Sequence, residues 1–373
     1  MKNRNRSVLP VILCFLLFIS ALTVLHLALP DHDRSDHENR ILAKAPKFSL
    51  RALFSGSFTE DFEDYITDQF PFRDRWLDLK SRAERAGGKT ENNGVFFCRK
   101  DTLITRMKPP ADSAVEEAIR AVNTLAENTE IPVCLALIPS AAEIWSDRLP
   151  ANADTADQAA LIRRIYDAVN ADHADVISEL QAHAGEPVYY RTDHHWTTLG
   201  AYYGYVATAR ALQLTPNELN AYHPETVSDS FYGTVYSSSG VRWVAPDSIQ
   251  IFVPADGVQM IRYDAADGSE SPVYDMSKLE TKDKYSMFMG GNTSRLVIRT
   301  GRDGGKLLVI RDSYADCELP YFFDHFSEIH VLDLRYFRQS VSAYAREGVF
   351  DQILVSYSLT DFVTDTSVSL MGT

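Results

Sequence analysis

The chain opens on a nearly unbroken apolar run, Val8 to Leu29, that contains no charged side chain. At the rise of an α-helix this run is roughly 33 Å long, enough to cross a bilayer core of about 30 Å. Lys2, Arg4 and Arg6 precede it and Asp31, Asp33 and Asp36 follow it. That asymmetry predicts a cytoplasmic N-terminus, with everything after Pro30 outside. A cleaved signal peptide carries the same pattern, although no small-x-small site closes the run. In both cases the remainder is exported. Residues 1–30 therefore read as a cytoplasmic stub and signal-anchor helix, 31–57 as a polar juxtamembrane tether, and 58–373 as the folded domain.

Within that domain the apolar positions change period repeatedly. Phe62, Tyr65, Ile66, Trp76 and Leu79 have helical spacing, interrupted by Phe70-Pro71-Phe72, so two helices with a corner are predicted. Ser113-x-x-Glu116 has the form of a capping box ahead of the stripe Val115, Ala118, Ile119, Val122 and Leu125. Ile131 to Ile138 reads as a buried strand. A helix from about Thr155 to Ala182, broken near Asp172, precedes a strand at Val188 to Arg191, and a further helix starts after Trp196 with Thr197 as its cap.

From Leu214 to about Arg302 helical periodicity fades, and residues 214–302 read as an insertion of loops and hairpins. The rhythm then resumes with a strand at Leu307 to Ile310, a helix near Leu319 to Phe326, and strands at Ile329 to Leu332 and Ile353 to Tyr357. Alternating strands and helices predict an α/β fold with a mostly parallel sheet covered by helices.

Composition narrows the function. The net charge of -14 argues against a nucleic-acid partner, because such binding rests on Lys and Arg neutralising phosphates. Of the four cysteines, Cys14 lies in the apolar run, which leaves Cys98, Cys134 and Cys317 and no disulfide framework. No Cys/His spacing suggests structural zinc, and nothing calls for a cofactor.

In open parallel sheets the site lies at the carboxyl ends of strands. Two such places carry reactive side chains. Arg311-Asp312-Ser313-Tyr314 follows the strand at 307–310 and precedes a helix, so Ser313 occupies a turn where helix N-terminal amides can stabilise an oxyanion. Asp312 or Ser313 reads equally as a plain helix cap. Thr192-Asp193-His194-His195-Trp196 follows the other strand; in an extended stretch Asp193 and His195 project to one side and His194 to the other. A serine nucleophile needs a base and a carboxylate that fixes its tautomer, and this loop offers both. Asp193, His194 and His195 also read as metal ligands, or as a capped helix start.

The combination of Glu38-Asn39-Arg40-x-Leu42-Ala43, Phe62-Glu63-x-Tyr65, Asp68-x-Phe70-Pro71-Phe72-Arg73, Asp193-His194-His195-Trp196, Gly290-Gly291-Asn292, Asp312-Ser313-Tyr314 and Asp333-Leu334-Arg335-Tyr336 resembles the DHHW family. That family is similar to the SGNH-hydrolase-like domains of alginate O-acetylation proteins. The resemblance implies Ser313 as nucleophile, His195 as general base and Asp193 as the orienting carboxylate. It implies substrate-binding roles for Arg335 and Tyr357, at the ends of the next two strands, and an oxyanion donor at Asn292. Structural readings stand beside these: an ion pair for Arg335, sheet packing for Tyr357 and a loop turn for Gly290-Gly291-Asn292. In the wider superfamily a glycine usually stands where this chain has Arg311, and a bulky residue there could narrow the oxyanion pocket or re-aim the serine.

The expectation is an O-acyltransferase or esterase acting on a cell-surface polysaccharide. By resemblance, a membrane-bound O-acyltransferase partner supplies the acetyl group. The rivals are a non-catalytic glycan-binding protein, suggested by the aromatic-rich segment Tyr222 to Trp243, and a metal-dependent hydrolase at Asp193-His194-His195.

Overall fold

The computed structural model describes residues 8–35, 40–264 and 267–373. Lys2, Arg4, Arg6, Asp36, Glu38 and Asn39, all used in the sequence reading, lie outside these residues. The chain divides into two compact units, one comprising the segment up to Lys89 with Gly240–Arg242, the other the rest.

In the first unit, α1 (Val8–Ala28) is a single apolar helix. Its span Leu9–Ala28 has a mean hydropathy of 2.6 and none of it is buried, so it is long and apolar enough to cross a membrane. Helices α2 (Ser57–Asp68) and α3 (Arg73–Ala86) meet at the Phe70-Pro71-Phe72 corner, as the proline predicts. The corner is tied to the preceding chain by Asp68. Its carboxylate takes two hydrogen bonds from the Arg40 guanidinium and one from the Ala43 backbone N–H at 2.8 Å. Those bonds join two stretches of the sequence pattern that are distant in the chain.

The second unit is built on one sheet of eight strands: β1 (Val133–Ile138), β2 (Asp172–His173), β3 (Gln259–Tyr263), β4 (Ser269–Ser271), β5 (Arg295–Arg299), β6 (Gly305–Arg311), β7 (Phe326–Leu332) and β8 (Gln352–Ser358). Their order is β4-β3-β5-β7-β6-β8-β1-β2. The half from β7 to β2 is parallel, and β5, β3 and β4 add an antiparallel wing. The wing comes from the stretch between 214 and 302. Its strands are short and half exposed, which is why no clean period announces them.

Strands β1 and β6 are apolar on both faces because both faces are covered. Cys134, Ala136, Ile138, Leu307 and Val309 face one core layer with the tyrosine-rich helix α5 (Thr198–Ala211). Val133, Leu135, Leu137, Leu308 and Ile310 face the other with α4 (Asp112–Thr129). Full burial of each Val, Leu or Ile among them contributes about 1.5–3 kcal/mol.

Three local expectations are corrected. Val188–Arg191 is not a sheet strand; it is one arm of a tight hairpin whose other arm holds Trp196, with a single bridge between Tyr189 and Trp196. The Leu319–Phe326 segment is not an α-helix. It holds a 3-10 turn, Leu319–Phe322, that follows another at Ser313–Cys317; Pro320 in its first positions lacks the N–H that a longer helix would use. Helix α4 begins at Asp112 with Ala111 as its cap, so Ser113 sits inside the first turn rather than capping it.

Candidate active site

Strand β6 lies between β7 and β8 in the middle of the sheet, and its carboxyl end delivers Asp312 and Ser313. Asp312 is the cap of the following turn. It accepts the Tyr314 N–H at 2.9 Å and, through its other oxygen, the Ser358 N–H at 2.8 Å from the end of β8. Burial raises its carboxyl above the ordinary range, although those same hydrogen bonds oppose the shift. Because Asp312 does the capping, the Ser313 hydroxyl is left free.

The hairpin supplies the other half. Tyr190 N–H donates to the His195 carbonyl at 3.2 Å and Thr197 N–H to the Val188 carbonyl at 3.0 Å. Two reciprocal bonds dock this hairpin on the serine turn: the Trp196 indole N–H donates to the Tyr314 carbonyl at 2.8 Å, and the Tyr314 hydroxyl donates to the His194 carbonyl. Two glycines of α5 let the hairpin also pack closely on that helix. A Cβ on Gly204 would lie 2.4 Å from the Trp196 ring, and one on Gly200 would lie 2.0 Å from the Val188 carbonyl oxygen.

His195 Nε2 lies 2.8 Å from Ser313 Oγ, and its Nδ1 lies 2.6 Å from Asp193 Oδ1. Asp193 and His195 share a side, although not through a strand pleat. The same Oδ1 accepts the His195 backbone N–H at 3.0 Å, an aspartate turn that folds the loop back on itself. The other oxygen accepts from Thr234 N–H at 2.7 Å and Thr234 Oγ1 at 3.0 Å. Burial alone would raise the Asp193 carboxyl. The two neighbouring imidazoles and the hydrogen bonds from His195 and Thr234 outweigh it and hold the group well below the usual carboxylate range. Asp193 is thus an anion that accepts the Nδ1 proton, which leaves the Nε2 lone pair for the serine hydroxyl.

Several contributors to this geometry carried no sequence signal. Tyr285 stacks on the His195 ring with centroids 3.7 Å apart and planes 9° apart. Its hydroxyl donates to the Ser313 carbonyl at 3.2 Å, so one side chain braces both the base and the nucleophile's backbone. Gly233 lies so close to Asp193 that a Cβ would come within 2.1 Å of Oδ2. Asp361, near Asp312, His194 and Arg335, is pushed up to about 6 by burial and by the charge of Asp312. A Gly-Thr pair or an isolated tyrosine has no characteristic spacing, and only the fold brings these residues to the loop.

The remaining expected residues are placed as follows. Arg335 donates to both oxygens of Asp333 at 2.9 and 2.7 Å and to Asn292 Oδ1 at 3.2 Å. Asn292 also receives Arg311 at 3.4 Å, and Gly290 and Gly291 before it adopt left-handed backbone with φ of 71° and 81°. Tyr357 is 1% exposed and packs edge-on to Phe362, so it presents almost no surface. Arg311 is fully buried and runs to Asp316 at 2.9 Å and Asp333 at 3.3 Å. It turns away from the serine, which keeps its 2.8 Å contact with His195.

Asp193, His194 and His195 offer ligand atoms within 4.8 Å of one another. The hydrogen bonds already described occupy both Asp193 oxygens and both His195 nitrogens, and His194 Nδ1 lies 2.6 Å from Thr234 Oγ1. The donor set fits a proton relay rather than a metal. The backbone N–H of Ser313 has no hydrogen-bond partner among the described residues.

The α/β domain, with its mainly parallel sheet and with Ser313 beyond the carboxyl end of β6 meeting His195 and Asp193 from the hairpin loop, has an SGNH-hydrolase-like fold. The family model for the DHHW protein matches residues 107–332, and the chain belongs to the DHHW family. The crystal structure of a DHHW family protein from Eubacterium siraeum is 25% identical, with a TM-score of 0.66 over 75% of this chain and 95% of that one. PatB1 from Bacillus cereus, in a structure with a sulfonyl adduct, is 16% identical with a TM-score of 0.59 over 73% of this chain and 97% of that one. A looser likeness, with a TM-score of 0.45 and 16% identity, links 75% of the chain to 98% of the O-acetyltransferase domain of Pseudomonas putida AlgJ. No curated protein matches the chain.

Proposed function

We propose that the folded part carries out acyl-ester chemistry, moving an O-acetyl group to or from a cell-surface polysaccharide. The observation that supports it is the continuous relay from Ser313 Oγ through His195, with its 2.8 Å and 2.6 Å contacts, to the Asp193 carboxylate. In the first half-reaction Nε2 takes the hydroxyl proton as Oγ bonds to the acyl carbonyl carbon. The carbonyl oxygen becomes an oxyanion facing the Ser313 N–H. Collapse breaks the ester bond, and the leaving oxygen takes the proton from the imidazolium. In the second half-reaction an acceptor hydroxyl gives its proton to Nε2 and attacks the acyl carbon; Ser313 leaves and recovers that proton. A sugar hydroxyl makes the reaction a transfer, and water makes it a hydrolysis.

Helix α1 suits an anchor that holds the domain on the outer side of the membrane, where such a polysaccharide is met. A membrane-bound O-acyltransferase is the proposed source of acetyl groups. Arg335, half-buried, and Asn292, exposed, are proposed to contact the glycan.

The test is incubation of the intact chain with 4-nitrophenyl acetate, followed by peptide mass mapping, beside Ser313→Ala. The expected result is an acetyl group on Ser313 and at least a hundredfold loss of turnover in the variant. Equal turnover by both proteins dismisses the assignment. Since PatB1 of the same fold carries a sulfonyl adduct, a sulfonyl fluoride is the matching trap for the nucleophile.

A further inference from the structure

Away from Ser313 the second unit holds another cavity, of about 460 Å³, walled by both arms of the hairpin and by residues 246–250. None of Ser313, His195 and Asp193 lines it. Its volume falls within the range of small-molecule sites, roughly 300–1,000 Å³.

Its charges are unevenly satisfied. Arg191 pairs with Asp101 at 3.0 Å and Asp247 at 3.3 Å and donates to the Pro246 carbonyl at 2.7 Å. Glu186 is held by His183 at 2.7 Å and by Tyr203 at 3.0 Å, and Asp247 by Thr192 at 2.6 Å. Arg148 differs. It is 6% exposed, yet its guanidinium has no hydrogen bond and no ion pair among the described residues, and its Nε is buried without a partner. The guanidinium rests over the Trp145 ring, 3.4 Å from the centroid. A ring below it holds the guanidinium by cation–π attraction while leaving its in-plane donors unused. Asp147 acts on Arg148 electrostatically without forming an ion pair with it, and Arg191 adds a like charge; holding such a cation away from water is costly, and a bound anion offsets that cost.

We infer that this cavity binds a small organic anion, with one carboxylate or phosphate held by Arg148 and a polar body no larger than a monosaccharide. The guanidinium fork matches both groups. Ser248 and Gln250 also line the wall, the Ser248 hydroxyl donating to Asp229 at 2.8 Å and the Gln250 amide to Thr226 at 3.2 Å, so Arg148 is the group left to anchor the ligand. The inference is independent of the chemistry at Ser313.

The test is isothermal titration of the intact chain in detergent with glucuronate, glucose 6-phosphate and inorganic phosphate, with glucose as the neutral control. At least one anion should bind saturably, while glucose should not. Glucuronate alone identifies a carboxylate site; glucose 6-phosphate or phosphate identifies a phosphate site. Arg148→Gln should weaken binding at least tenfold. Ser248→Trp, which narrows the cavity and leaves Arg148 in place, should do the same, and Ser313→Ala should bind unchanged. Without ligand, Arg148→Gln should melt no lower than the parent. Absence of anion binding at millimolar concentration, equal binding by Arg148→Gln, or a lower melting point for that variant would each overturn the proposal.

Discussion

Replacing Asp193 by Asn exchanges one carboxylate oxygen for an NH2 group in a site with no tolerance for it. All four groups that reach the carboxylate are donors in this geometry: His195 N–H at 3.0 Å, His195 Nδ1 at 2.6 Å, Thr234 N–H at 2.7 Å and Thr234 Oγ1 at 3.0 Å. An amide nitrogen accepts from none of them. Placed toward Thr234, it strands a buried backbone N–H, which costs about 1–3 kcal/mol. Placed toward His195, it strands that residue's N–H and reverses the imidazole tautomer, so Nε2 carries the proton and no longer accepts from Ser313. In both placements the negative charge that stabilises the imidazolium is gone. A loss of about 3–5 kcal/mol of transition-state stabilisation corresponds to roughly a hundredfold to several-thousandfold fall in turnover. Stopped-flow acylation with 4-nitrophenyl acetate reads it directly, with circular dichroism as the folding control. A folded Asp193→Asn protein acylating within threefold of the parent would refute the relay.

Three further outcomes are expected. Tyr285→Leu, which removes the ring braced on His195, should lower turnover by about tenfold with little change in KM, whereas Tyr285→Phe should stay within about threefold, since such a stack is worth about 0.5–1.5 kcal/mol; equal behaviour of the two variants counts against the brace. Glu318 is 1% exposed and pushed up to about 7 by burial. The folded chain therefore keeps a proton that the unfolded chain loses near pH 4, so this group's contribution falls as pH rises from about 4 to 7. Glu318→Gln should melt above the parent at pH 8 and lose that advantage by pH 4, as calorimetry will show. Arg311→Met removes the ion partner of buried Asp316, at a cost of about 3–5 kcal/mol at pH 8 by denaturant titration. The cost should shrink at pH 5, because burial pushes the Asp316 carboxyl up to about 7 and the group can go neutral.

The side chains proposed to react were legible because a carboxylate two positions before a histidine, and a serine just beyond an apolar strand, are short-range patterns. Their meeting was not, since it depends on Trp196 and Tyr314 bonding across the gap between hairpin and turn. The strand expected at 188–191 shows how the period misleads: Val188, Tyr189 and Tyr190 are buried by the packing of Trp145 and Phe231 around a hairpin, and burial rather than sheet pairing sets their character. The antiparallel wing escaped notice because five-residue strands such as Gln259–Tyr263 expose one face and mix polar with apolar residues. Arg311 looked obstructive from sequence, as a large cation beside the serine. Two buried carboxylates elsewhere in the chain, Asp316 and Asp333, give it somewhere else to go.

The imidazole of His195 lies 3.7 Å from the Tyr285 ring and 3.9 Å from the His194 ring. Two rings that near cannot occupy one face, so the base is a filling between two plates and cannot spin about its own axis. In the proposed reaction a single nitrogen then serves the departing alcohol and the arriving one in turn. For that reaction the expected kinetics are of the alternating, substituted-enzyme kind, with each alcohol acting as a competitor of the other.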